Sequence, residues 1–141
     1  MLLATLPDAA QVAGNAGAAL VVLFAMIVGH ALGDYALQSD FLAKAKTRRG
    51  DLSASFPNGR PWGLWGNALL AHAVIHAGAV WLLTGSVILG LIEWVLHTVI
   101  DLVKGEEKIS FEVDQALHIL CKLVYAVLLY QGYAWVTWSP V

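Results

Sequence analysis

Eleven polar or ionisable side chains recur at one spacing within otherwise apolar sequence. His30, Asp34 and Gln38 are separated by fours. So are His72 and His76, then Glu93, His97 and Asp101, then Asp114, His118 and Lys122. A step of four residues turns an α-helix by about 400°, so each set lies along one slowly turning stripe. All five histidines of the chain belong to these stripes. Imidazole and carboxylate are ligands of zinc, iron and manganese, and histidines at i and i+4 can chelate one ion. The expected ligands are His30, Asp34, His72, His76, His97, Asp101 and His118. Glu93 and Asp114 are expected as general base or as carboxylates that orient a ligand histidine. The expected cofactor is a divalent metal, zinc first, with iron or manganese as alternatives. One or two ions are expected, because catalytic zinc usually takes only three protein ligands.

No single spacing here is specific. The chain has neither a His-Glu-x-x-His helix nor a Gly-x-Ser-x-Gly elbow. The weight lies in the sum of the stripes. Cys121 is the one cysteine, which excludes an intrachain disulfide and a cysteine-cluster metal site. It is expected to be a buried inert thiol. Lys122 is expected to neutralise an acid of the cluster or to snorkel towards an interface. Tyr35, Asn67, Gln115 and Tyr125 are expected either to line the site or to bridge helices. Gly29 and Gly33, a small-x-x-x-small pair beside His30, are expected to let another helix approach closely.

Four apolar stretches must position these residues, at about 14–35, 64–83, 87–103 and 111–135. Each is long enough, or nearly so, to cross a hydrocarbon core of about 30 Å as a helix. The third is the shortest and could lie within the bundle without spanning fully. Thr84-Gly85-Ser86 alone joins the second to the third, which predicts an antiparallel hairpin. Residues 39–46 are expected to form a short surface helix, and residues 56–61 a turn built on Pro and Gly. Composition agrees with a membrane protein: 59% of the 141 residues are hydrophobic and 13% charged, with mean hydropathy +0.70. A soluble domain carries about 25% charged residues. A soluble enzyme, a nucleic-acid binder and a disordered chain are therefore disfavoured together. The formal charge of −2 gives no reason for a polyanionic partner. Membrane lipids are the expected partners, no nucleic acid is expected, and a homo-oligomer stays open.

Basic residues set the expected orientation. Lys44, Lys46, Arg48, Arg49 and Arg60 lie between the first two stretches, and Lys104 and Lys108 between the last two. The positive-inside rule makes both connections cytoplasmic and both termini external. Tyr130, Tyr133, Trp135 and Trp138 are expected to form an outer aromatic belt, with Trp62 and Trp65 at the inner face. The opening stretch lacks a basic n-region and is not expected to be a cleaved signal peptide. With this orientation all four stripes fall at one depth near the inner face. The expected architecture is an all-α, four-helix transmembrane bundle forming a single domain over 1–141, with a polar cavity open to cytoplasmic water.

The ordered set Gly29-His30-x-x-Gly33-Asp34-Tyr35-x-x-Gln38-x-Asp40-Phe41-Leu42, His72-x-x-x-His76, His97-x-x-x-Asp101 and Asp114-Gln115-x-x-His118 resembles a family of small bacterial and phage membrane proteins. That family is domain of unknown function 3307. The resemblance covers about 29–125, implies a multi-pass protein of the bacterial inner membrane, and brings no activity with it. A looser likeness is to small inner-membrane proteins described as metal-dependent hydrolases. The function expected is a membrane-embedded, metal-dependent hydrolase acting on a lipid ester or phosphoester near the inner leaflet. A di-metal oxidative enzyme is a variant of it. The alternatives are a proton- or metal-ion transporter or channel subunit, and a non-catalytic membrane partner.

Overall fold

The structure is a computed structural model, and residues 6–137 are described. All regular structure among them is helical. A one-turn helix α1 (Ala9–Val12) leads into α2 (Ala16–Ala31), which continues through a π-helical turn at Leu32–Ala36. A short α3 (Asp40–Ala45) precedes the longest connection. Then come α4 (Leu64–Thr84), α5 (Val87–Gly105), α6 (Phe111–Gln131) and a last turn α7 (Ala134–Thr137).

Local chemistry sets these boundaries. Asp8, Asn15, Ser39, Ser86 and Ser110 each precede a helix and accept a hydrogen bond from a backbone N–H of its first turn. The surface helix after Ser39 and the turn at 56–61 form as expected, the latter closed by Gly59 N–H donating to the Phe56 carbonyl at 3.0 Å. The fourth long helix is shorter than its apolar run. It stops at Gln131 because Gly132 takes φ +67°, a left-handed conformation favouring glycine. Trp135 therefore lies in α7, and Trp138 lies outside the described residues.

Three helical segments are long and apolar enough to cross a membrane: Ala16–Ala36, Leu64–Thr84 and Phe111–Gln131. This corrects the expectation of four. The segment α5 has the length, but it carries Glu93, Asp101 and Lys104, and ionised groups are costly at membrane depth.

Polarity is inverted relative to a soluble domain. Leu20, Phe24, Leu82 and Val95 are each at least 60% exposed, whereas His72, Glu93, His97, His118 and Lys122 are each no more than 1% exposed. The buried interior has two halves. Ala9, Val12, Val22, Met26, Val80, Leu89, Ala126, Leu129 and Val136 form an apolar half at the end of the bundle carrying α1, the Gly85 turn and α7. Gly14 N–H donates to the Tyr130 carbonyl at 2.9 Å and pins the amino-terminal segment there. The ionisable residues fill the other half, towards the long connection. At that end Arg48 meets Glu106 at 3.6 Å and Arg49 meets Glu107 at 2.8 Å, so the two basic connections touch.

Candidate metal centre

The four stripes face one another. The helix α2 and its π turn bring His30 and Asp34, α4 brings His72 and His76, α5 brings Glu93, His97 and Asp101, and α6 brings Asp114, His118 and Lys122. His97 is the hub: its ring centroid lies 3.9 Å from that of His76, 4.2 Å from His118, 5.1 Å from His72 and 6.3 Å from His30.

Glycine makes this approach possible. A methyl added at Gly33 would overlap the His76 ring, and one at Gly29 would lie 3.1 Å from Leu83 Cδ1. The small pair therefore lets α2 close on α4, as its spacing predicts.

The carboxylates interleave with the rings. Asp34 Oδ1 lies 3.2 Å from His72 Nε2 and 3.1 Å from His76 Nε2, and Asp34 Oδ2 lies 3.5 Å from His30 Nε2. Asp101 Oδ2 lies 3.5 Å from His72 Nε2 and 3.6 Å from His97 Nε2, and its Oδ1 lies 3.5 Å from His118 Nε2. Asp114 Oδ1 lies 3.7 Å from His118 Nε2. Two ligand atoms of a tetrahedral zinc, with bonds of about 2.0–2.1 Å, sit roughly 3.3 Å apart. The observed separations bracket that value. Donor atoms of Asp34, His72, His76 and His97 all lie within 4.8 Å of one another, as do those of His30, His97 and His118, and those of Asp101, Asp114 and His118.

Hydrogen bonding leaves this set unsatisfied. Among the described residues, His30 Nδ1, His76 Nε2, His97 Nε2, both ring nitrogens of His118 and Asp114 Oδ1 are buried without a hydrogen-bond partner. Such atoms cost roughly 1–3 kcal/mol each when left unpaired. A bound cation is one partner that satisfies clustered nitrogen lone pairs and carboxylates together.

Charge makes the same point. Lys122 neutralises Glu93 and Lys46 neutralises Asp101, whereas Asp34 and Asp114 pair with no lysine or arginine among the described residues. Two uncompensated carboxylates match one divalent ion.

Glu93 sits behind the cluster. Its Oε1 accepts from Lys122 Nζ at 2.5 Å and lies 3.2 Å from His97 Nδ1, and its Oε2 accepts from Tyr125 OH at 3.0 Å. A His97 proton held on Nδ1 by Glu93 turns the Nε2 lone pair towards Asp101 and the site. Lys122 is fully buried in this pairing and does not snorkel.

Gln115 braces the front. It donates Nε2 to Asp34 Oδ2 and to Asp114 Oδ2, each at 3.1 Å, and its Oε1 accepts from Tyr35 OH at 3.2 Å. Gln38, although in the stripe, serves the backbone: its Nε2 donates to the Asp34 carbonyl at 3.0 Å. Asn67 makes no side-chain hydrogen bond among the described residues, and Cys121 is half-buried and reduced.

Sequence reasoning missed Lys46. It reads as one of several loop cations, yet its Nζ reaches Asp101 Oδ2 at 2.7 Å across 55 residues of sequence. Nothing local marks it. A cavity of about 380 Å³ opens beside it at the basic end, with Asp34, Asp101 and Asp114 in its wall.

The profile of a protein family of unknown function, DUF3307, matches residues 22–141. The chain belongs to the DUF3307 family. No curated protein and no solved structure matches it. The match takes in all four stripes, so the whole candidate centre falls within the DUF3307 region.

Proposed function

We propose that this DUF3307 protein is a membrane-embedded, metal-dependent hydrolase. The observation that carries the reading is the closed cluster of five imidazoles and three aspartates, in which ring nitrogens of His30, His76, His97 and His118 are buried with no hydrogen-bond partner among the described residues. Zinc suits this donor set best, and iron or manganese also suits it. One centre would use Asp34, His72, His76 and His97, and a second Asp101, Asp114 and His118. His30 stands between them. An ion held there supplies a Lewis acid and makes water nucleophilic at neutral pH.

The chain's own residues supply the rest. Glu93 fixes the tautomer of His97. When only the first centre is filled, Asp114, whose Oδ1 has no hydrogen bond among the described residues and which lies in the cavity wall, is the residue placed to take a proton from water. In the reaction the water oxygen bonds to the electrophilic carbon or phosphorus, and the ester C–O or P–O bond breaks. The proton removed from water passes to the departing oxygen. A lipid ester or phosphoester is the proposed substrate, because the cavity opens at the bundle end where headgroups would lie.

Several features support the membrane setting. Three segments have the length and apolarity to span, the outward faces are apolar while the ionisable stripes are buried, and the basic connections share one end. In this reading α5 is the fourth helix of the bundle, its charges turned inward onto the site. The basic end is cytoplasmic, both termini are external, and the bacterial inner membrane is the location. A transport role is the weaker reading. Beyond Glu93, Lys122 and Tyr125 the buried residues among those described are apolar save Thr84 and Ser86, which serve the backbone of the Gly85 turn, so no ionisable track reaches that end.

Elemental analysis of gently purified protein, paired with ester and phosphoester hydrolysis assays, tests the proposal. A stoichiometric metal and an activity lost in His97→Ala are expected. Wild-type protein that holds no metal when supplied with zinc, iron or manganese would overturn it.

A further inference from the structure

The cavity at the basic end contains cations that the proposed metal chemistry does not use. Lys46, Arg49 and Lys104 share its wall with Asp34, Asp101, Asp114 and Glu107. Four carboxylates against three cations leave the mouth at a formal charge of −1. Two cations are already engaged: Lys46 with Asp101 at 2.7 Å and Arg49 with Glu107 at 2.8 Å. Lys104 makes no ion pair among the described residues, although it shares the wall with four carboxylates. One divalent ion in the centre that Asp34 shares with His72, His76 and His97 turns the mouth to +1. A second ion on Asp101 adds to this and competes with Lys46 for that carboxylate. The Lys46 side chain is only 13% exposed, so its ammonium stays over the cavity when Asp101 turns to metal. The bound ion thereby inverts the preference of the mouth from cations to anions.

We infer that this mouth is a phosphoryl-binding site, in which Lys104 and Lys46 hold a phosphate group against the metal centre. This rests on the metal reading and narrows its substrate to a phosphoester. A phosphate offers several oxygens, so it can meet two ammonium groups and the metal at once. A carboxylic ester carries no charge at the bond to be broken and would leave Lys104 without a counter-charge. The cations reach the site from two different segments, Lys46 from the end of α3 and Lys104 from the last turn of α5. The phosphate is that of a lipid headgroup or of a soluble phosphoester, since the cavity faces both the headgroup layer and the adjoining water.

Inorganic phosphate is the probe, titrated calorimetrically into purified full-length protein whose metal content has been measured. Binding is expected in metal-loaded protein and is expected to vanish after chelation. Lys104→Gln should weaken it on the order of tenfold with metal content unchanged, as the loss of one charge-assisted hydrogen bond implies. Lys46→Gln should weaken it likewise. Lys108→Gln, a change in the connection just after α5 and outside the cavity, should have no effect.

Metal-loaded protein that binds no phosphate overturns the inference and leaves the metal centre standing. Full-strength binding by both Lys104→Gln and Lys46→Gln also overturns it, because the metal alone would then hold the anion. Wild-type protein without metal removes the metal reading, and phosphate binding without metal removes the charge inversion on which the inference depends. Reconstitution into phosphatidylcholine vesicles, with and without phosphatidic acid, separates the two sources. Phosphatidic acid that suppresses phosphate binding marks a headgroup as occupant, and undiminished binding marks a soluble ester.

Discussion

Gly33→Ala is the sharpest probe of the cluster, because it alters no ligand and no charge. The added methyl would sit 2.5 Å from His76 Nε2 and 3.2 Å from His76 Nδ1. Ordinary contact between such atoms is about 3.5–4.0 Å, so the ring must retreat by roughly 1 Å. It cannot retreat freely, since His97 stacks on it at 3.9 Å with 22° between the planes and His72 lies 4.7 Å away. Either α2 and α4 separate or His76 leaves Asp34, from which its Nε2 now stands 3.1 Å. Overpacking of this kind costs about 1–3 kcal/mol. Metal–ligand distances tolerate only about 0.2 Å, so the misplaced ring should lower metal affinity on the order of 10–100-fold. The assay is metal stoichiometry at a series of buffered free-metal concentrations, with thermal unfolding measured with and without metal. Gly78→Ala is the control, because a methyl there meets nothing within 4 Å. It should be neutral or slightly stabilising, as expected of Ala in a helix. If Gly33→Ala binds metal as wild type does and unfolds at the same temperature, the ring is not wedged where the geometry puts it. The tetrad of Asp34, His72, His76 and His97 would then have to be abandoned.

Other perturbations separate ligands from packing. Asp101→Asn keeps the shape but loses the charge, and metal content should fall by about 10–100-fold if the carboxylate ligates or orients a ligand. Unchanged metal content with lower stability would make it a clamp. Lys122→Met should destabilise the bundle by about 3–5 kcal/mol, because it strands Glu93 at a buried position. The double change Lys122→Met with Glu93→Gln should recover much of that loss, and a double-mutant cycle with no coupling would contradict the pairing. Cysteines introduced at Ser53 and Ala13 in an otherwise cysteine-free protein should label from opposite faces of a sealed membrane. Labelling of both from one face would remove the proposed topology.

The site was more legible than its supports. Four stripes of four-residue spacing were enough to select every residue now found around His97, because a helix converts spacing into facing and bulk apolarity forces polar faces inward. The number of spanning helices was less legible. The run at 87–103 is apolar on average, but the three charges of α5 decide whether it can stand alone in lipid, and only the fold shows two of them, Glu93 and Asp101, buried against partners. Lys46 was invisible because its partner is set by the path of a long connection. The pairing of Glu93 with Lys122 was half visible: the need for a counter-charge could be read, but not which acid would meet it. The end of α6 was carried too far, since apolar residues continue past Gln131 and only the backbone of Gly132 ends the helix.

The π turn at Leu32–Ala36 was not legible at all, yet it bears most directly on chemistry. Spacing treats His30, Asp34 and Gln38 as one continuous stripe. The π turn inserts an extra residue into the helical repeat at Asp34, and such insertions redirect the side chains that follow. Two consequences are visible. The turn ends with Leu37 N–H donating to the Leu32 carbonyl at 2.8 Å, and the Asp34 carbonyl is taken by Gln38 Nε2. Gln38 therefore leaves the stripe to serve the backbone that holds Asp34. Asp34 meanwhile meets His30, His72, His76 and Gln115 from three helices. A regular helix would carry Gln38 onto the cluster face and leave that carbonyl without its side-chain donor. Gln38→Ala should accordingly loosen the π turn and lower metal affinity although Gln38 hydrogen-bonds no candidate ligand side chain among the described residues, whereas Gln38→Glu replaces the donor with an acceptor and should be worse. Equal metal affinity in both variants and wild type would show that the turn holds Asp34 without this brace.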